Sequence, residues 1–228
     1  MGDRLFFPSG LLGLGAVMMS LILTLIGPRA TGPLPDGFIT PVMAFEFAES
    51  AAEVTTLFEP EGSAAAMDRL NRWDFLFMAL YSLFLTTFAL AAALDSGRFT
   101  SWFAAALAPL ILLADVMENV QLLNLTAQLS LGGGLESALA RLHLFTWLKW
   151  GGLAVYFLLI GNYFREQSGI WRFVWVLAGA PAIFALWAFL LRGPTHELMA
   201  LSIGVLFLVL TLFAWRQTLT RGPQAYGV

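Results

Sequence analysis

The sequence predicts an all-α fold: a polytopic transmembrane helical bundle of about six spans, with an amphipathic helix on the extracytoplasmic side. Three observations predict it. Hydrophobic residues make up 59% of the chain, against a usual share of about 45–50%. Charged residues make up 12%, roughly half the usual share. The apolar residues gather into stretches of about 20, the length a helix needs to cross the hydrocarbon core. A water-soluble domain of 228 residues could not cover itself with so little polar surface.

The first span runs from about Leu5 to Gly27. It is longer than the apolar core of a signal peptide and lacks a small-x-small cleavage site, so it reads as a retained anchor. Further spans fall at 73–94, 101–126, 142–162, 171–191 and 196–215. Asp95-Ser96-Gly97-Arg98, Gly132-Gly133-Gly134 and Arg192-Gly193-Pro194 punctuate them. One integral membrane domain is expected over 1–228. It comprises a first span 1–27, an outer loop 28–71, a three-span core unit 72–162 and a C-terminal helical hairpin 171–216.

The long loop has structure of its own. Residues 31–37, Thr-Gly-Pro-Leu-Pro-Asp-Gly, form a turn-rich linker. Pro41 suits a first helical position, with Thr40 as its cap. An amphipathic helix is expected over 42–58. Glu46, Glu49 and Glu53 share one face, and Met43, Phe47, Ala51, Val54 and Phe58 another. It would lie on the outer membrane surface or on top of the bundle, and a solvated face is the favoured reading of its three glutamates.

Basic residues orient the chain. With both termini cytoplasmic, Arg4, Arg98, Arg165, Arg172, Arg216 and Arg221 fall inside, while the short outer loops keep Arg141 and Arg192. The net charge of −3 and the absence of a Lys/Arg cluster argue against a nucleic-acid partner. Without cysteine there are no disulfides, thiolate metal sites or cysteine nucleophiles. Two histidines rule out a His-rich metal site; no metal ligand is assigned, and a carboxylate-bound divalent cation stays open without being required. Neither a nucleophile motif nor a phosphate-binding loop is present, and the sequence names no cofactor.

The exceptions to apolarity carry the functional interest. Asp115 falls mid-span, and Glu118 and Asn119 follow at i+3 and i+4 on one helix face. In the next span His143, Thr146 and Lys149 form an i, i+3, i+6 stripe, with Trp150 beside it. Helical rise puts Glu118 and Lys149 each roughly 10 Å below the outer end, and so at one level. Asp74 lies nearer the outer edge of the second span, with Tyr81 at i+7. A central charge disfavours insertion by about 2.5–3.5 kcal/mol, so such residues face the bundle interior, pair, or meet water. Lys149 compensates one of Asp115 and Glu118. The other must be protonated, meet a cation, or be reached by Asn119, His143 or water. A structural ion pair that fixes helix register is the plain alternative. Trp147, Trp150, Trp171 and Trp175 read as belt or packing residues. Gly151-Gly152 read as a close helix contact, and Pro109 and Pro181 as kinks.

Four short motifs carry a resemblance: Pro41 to Ala48 (PVMAFEFA), Asp74 to Phe77 (DFLF) with Tyr81, Asp115 to Asn119 (DVMEN), and Leu148 to Trp150 (LKW). Together they resemble a pattern found in uncharacterised bacterial multi-pass membrane proteins; the cell inner membrane is the expected location. The resemblance covers roughly residues 40–162. It implies no activity, but it places Glu46, Asp74, Asp115, Glu118, Asn119 and Lys149 in one set.

Two classes of function follow. The first is a membrane-embedded enzyme or binder of a lipophilic molecule. Asp115 or Glu118 would be its general acid or base, and Lys149 would orient the substrate or stabilise negative charge. Asp74, Asn119, Glu46, Tyr81, His143 and Trp150 would contact the substrate. The second is a non-catalytic assembly factor or accessory subunit, partnered by other membrane subunits, with its charges acting as internal staples. A transporter ranks third, because the charges cluster in one half and no internal repeat is apparent. In every case the bilayer is the first partner.

Overall fold

A computed structural model describes residues 3–221. The side chain of Arg221, used above for orientation, lies outside that description, as do residues 222–228. In chain order the helices are α1 (Asp3–Ile26), α2 (Pro41–Glu46), α3 (Ala51–Leu57), α4 (Ser63–Ser96), α5 (Phe99–Leu131) and α6 (Glu136–Phe164). There follow a 3₁₀ turn (Gly169–Phe173), α7 (Val174–Leu177), α8 (Ala180–Leu190) and α9 (Pro194–Arg221). Among the described residues, six stretches are long and apolar enough to cross a membrane: α1, α4, α5, α6, the combined Gly169–Leu190 segment, and α9.

The spans form a closed ring. α1 packs on α4, α4 on α5, α5 on α6, α6 on α7 and α8, α8 on α9, and α9 returns to α1. Phenylalanines fill the middle of this ring. Phe88 stacks on Phe164 at 6.2 Å, and Phe164 meets Phe213 edge-on at 4.8 Å. The span 169–190 is not one helix. Pro181 stands at the first positions of α8, so it begins a helix where a kink was expected, whereas Pro109 lies within α5.

Small residues set the close approaches. A Cβ on Gly13 of α1 would fall 2.3 Å from Thr211 Oγ1 of α9 and 2.9 Å from the Phe84 ring of α4. Gly152 likewise admits Ile111 of α5, at 2.8 Å from an added Cβ, while Gly151 faces open space. The expected glycine contact is therefore made by one residue of the pair. Gly13→Val is expected to lower stability by about 1–3 kcal/mol, because its neighbours are already packed. Gly151→Ala should be neutral or slightly stabilising. Thermal melting of both variants in detergent checks the contrast.

α4, α5 and α6 have 34, 33 and 29 residues. At 1.5 Å per residue they exceed the hydrocarbon thickness of about 30 Å. Their extra turns stand at the end that carries the loop 27–62, called here the loop end. There α4 begins with Ser63, where sequence alone placed loop up to residue 71. Phe45, Val54, Leu57, Met67, Leu122, Leu125, Leu139 and Leu142 build a second small core between these turns and α2 and α3.

The single helix expected over 42–58 is two. α2 ends at Glu46 and α3 starts after Ser50. Ser50 accepts a hydrogen bond from the Glu53 N–H at 3.2 Å, and the Glu53 carboxylate accepts from the Glu49 N–H at 3.1 Å. Ser50-Ala51-Ala52-Glu53 is thus a variant capping box, and it restarts the helix. Thr40 precedes α2 but makes no side-chain cap. Its hydroxyl and backbone N–H both donate to Glu197 on α9. The segment sits on top of the bundle, one of the two positions expected. The break parts its glutamates: Glu46 turns into the bundle and is buried, while Glu49 stays exposed.

Candidate functional site

Lys149 is the centre of the site. Its ammonium meets Glu46 Oε1 of α2 at 3.1 Å, Asp115 Oδ1 of α5 at 3.3 Å and, closest, Glu118 Oε2 of α5. Glu118 stands thirteen residues before the end of α5, and Lys149 thirteen after the start of α6. An antiparallel hairpin brings such positions level, as the sequence predicts, but both lie deeper from the helix ends than expected, at roughly 20 Å. All four side chains are buried: Glu118 is 1% exposed, Asp115 4%, Lys149 6% and Glu46 8%. A solvated role for Glu46 is thereby corrected.

Neighbouring groups complete the cluster. Tyr81 of α4 donates a hydrogen bond to Asp115 Oδ2. Trp150 Nε1 donates to Glu46 Oε2 at 2.9 Å, and Thr146 donates to the Glu46 backbone carbonyl at 3.2 Å. Asn119 Nδ2 donates to the Asn71 carbonyl at 2.6 Å. Several buried polar atoms have no hydrogen-bond partner among the described residues, including Glu118 Oε1, Asn119 Oδ1 and Asn71 Nδ2. Such atoms are rare in folded proteins, because leaving a buried polar group unmatched costs about 1–3 kcal/mol.

A cavity of about 630 Å³ adjoins the cluster. Glu46, Asp74, Tyr81, Asp115, Lys149 and Trp150 line it, together with Asn71 and apolar residues of α1, α4 and α9. Glu118 and Asn119 are not part of this lining, whereas Asp115 is. No group of three or more His, Cys, Asp or Glu placed to hold a metal occurs among the described residues. The space between the three carboxylates is taken by the Lys149 ammonium.

His143 is not brought in. It is exposed and faces the Trp147 ring at 6.4 Å. Six residues advance a helix by about 600°, which leaves His143 roughly a third of a turn away from Lys149. Trp150 and Trp147 are both internal packing residues. Trp147 meets Phe47 at 5.3 Å and Phe189 at 5.3 Å.

Four residues escaped the sequence reading. Asn71 stands within the stretch read as loop. His196 is buried against Phe47, with ring centroids 4.3 Å apart. Arg192, in the connector between α8 and α9, clamps α3, and Glu197 accepts the Ile39 and Thr40 N–H groups at 2.9 Å each. For Arg192 and Glu197 the only signal was a charge beside a span end, which reads equally well as solvated.

Comparisons with known families, with curated proteins and with solved structures match nothing, so the grouping of these residues rests on their geometry.

Proposed function

We propose that the chain holds a lipophilic molecule inside the bilayer, with the polar end of that molecule at the Asp115–Lys149 cluster. The observation that supports this most is the cavity itself. Its walls are largely apolar and its polar residues converge at one place, the usual form of a small-molecule site. Intramembrane charge is commonly functional. In this reading Asp115 touches the bound molecule and can exchange a proton with it, Lys149 fixes the carboxylates, and Glu118 positions Lys149. With both termini in the cytoplasm of a cell with an inner membrane, the site would lie in the outer half of that membrane.

The assembly-factor reading has one observation of its own. Lys149 ties α2, α5 and α6 together, as a staple would. One experiment separates the two. Protein purified in mild detergent is extracted with organic solvent, and the extract is compared by mass spectrometry between wild type and Asp115→Asn. Loss of one charge-assisted hydrogen bond should reduce an enriched lipophilic compound by about tenfold or more. If Asp115→Asn instead lowers the melting temperature and leaves the extract unchanged, the cluster is a staple.

A further inference from the structure

Resting on the binding reading, we propose that the occupant enters from the lipid between α1 and α9, at Gly204, and carries a cationic nitrogen at its polar end. The route is drawn by the exposed part of the lining. Thr24 of α1 and Gly204 and Leu208 of α9 line the cavity and are exposed, whereas Leu23 of α1 and Ile203 and Phe207 of α9, also in the lining, are buried. Along these two helices the lining is most open at the first three. Gly204 has nothing within 4 Å of the place a Cβ would occupy. Further from the loop end the same two helices are in close contact, where Gly13 meets Thr211 and a Cβ on Gly10 would be 3.2 Å from the Trp215 ring. α1 and α9 therefore touch at one end and stand apart at the other. Both sides of the gap lie within apolar spans, so its mouth faces hydrocarbon.

The charge of the head follows from the cluster. Four carboxyl groups, Glu46, Asp74, Asp115 and Glu118, surround a single ammonium, and three of them already pair with it. Asp74 lines the cavity and has no salt bridge among the described residues. A carboxylate-bearing head would add to this excess of acid, whereas an ammonium balances it. An independent feature points to a bound molecule as well. Asn71, one helical turn before Asp74 on the same face of α4, lines the cavity at 2% exposure, and its Nδ2 donor has no partner. An oxygen beside the cationic nitrogen would accept from it. The ligand class is a long-chain amine, with an amino alcohol as its best-fitting member.

The test uses the full chain in nanodiscs of phosphatidylcholine. Three photoreactive probes of equal chain length are compared: a primary amine, the fatty acid and the alcohol. The amine is expected to label the protein saturably, at a concentration about tenfold below the other two. Asp74→Asn should remove that preference. Gly204→Trp should reduce amine labelling by about tenfold, and Thr24→Trp, at an exposed position on the facing helix, should do the same should Gly204→Trp fail to fold. Equal saturation by the acid or the alcohol overturns the cationic head and leaves the binding reading standing. Undiminished amine labelling in a folded tryptophan variant overturns the lateral route. If no probe saturates, the binding reading falls and this inference falls with it.

Discussion

Lys149→Met is expected to be the most damaging single substitution in the chain. It removes the one cation shared by Glu46, Asp115 and Glu118, while the three carboxyl side chains stay where the fold has buried them. Removing one partner of a buried ion pair costs about 3–5 kcal/mol, because the other is left uncompensated. Here three partners are left at once. Against a typical stability of about 5–15 kcal/mol, a loss of about 5 kcal/mol removes a third or more of the total. Melting followed by tryptophan fluorescence in detergent gives the size of the effect. Adding Asp115→Asn and Glu118→Gln should recover part of it, since replacing a buried ionic group as a set is far milder than breaking it. Lys149→Met melting alongside wild type would mean that the ammonium contributes no net stability.

Arg192→Met should act locally and still be large. The guanidinium donates to both Glu53 oxygens, at 2.9 and 2.6 Å, and to the Phe47 carbonyl at 2.9 Å, and it lies over the Phe38 ring at 5.2 Å. Glu49 adds a longer contact at 3.5 Å, but it is more than half exposed, and solvent screens it. A bidentate pair with further hydrogen bonds is stronger than an ordinary surface bridge. Hydrogen bonds to charged groups contribute about 1.5–3 kcal/mol, so amide exchange over α2 and α3 should speed up by roughly ten- to a hundredfold. The spans should exchange as before. Unchanged exchange at residues 41–58 would show that the second core holds the segment without the clamp.

These two residues also mark how far the sequence could be read. The six spans were legible because apolar stretches of bilayer length have few alternatives. Asp115, Glu118 and Lys149 were legible because charge inside a span has to be met by something nearby, and helical rise put them level. Arg192 and Glu197 were not legible. Their partners lie 139 and 157–158 residues away, on a loop whose path local pattern does not determine. The break between α2 and α3 did have a local signal, the Ser50-x-x-Glu53 box, but the run of apolar positions across 42–58 obscured it. Asn71 lies outside the apolar stretch, which marks the span but not the helix: α4 begins eight residues before it, at Ser63. His143 stays out of the cluster because an i+6 spacing is not one helix face.

The ring of spans has a further consequence, in how its members are tethered. α4 to α5, α5 to α6, α6 to the interrupted fifth span, and α8 to α9 are joined by only two to four residues each. Spreading any of these pairs pulls on a short connector. The longer segment 27–62, which joins α1 to α4, is pinned by Arg192 and Glu197. First and last spans have no such tie, since no peptide connects α1 to α9 directly. The ring is therefore a strip of helices closed at a seam by side-chain contact alone. Gly204 lies on that seam, so widening the opening parts the two helices beyond Gly13 and leaves the four short connectors at their resting length, while the contacts of Ile39 and Thr40 with Glu197 limit how far they part.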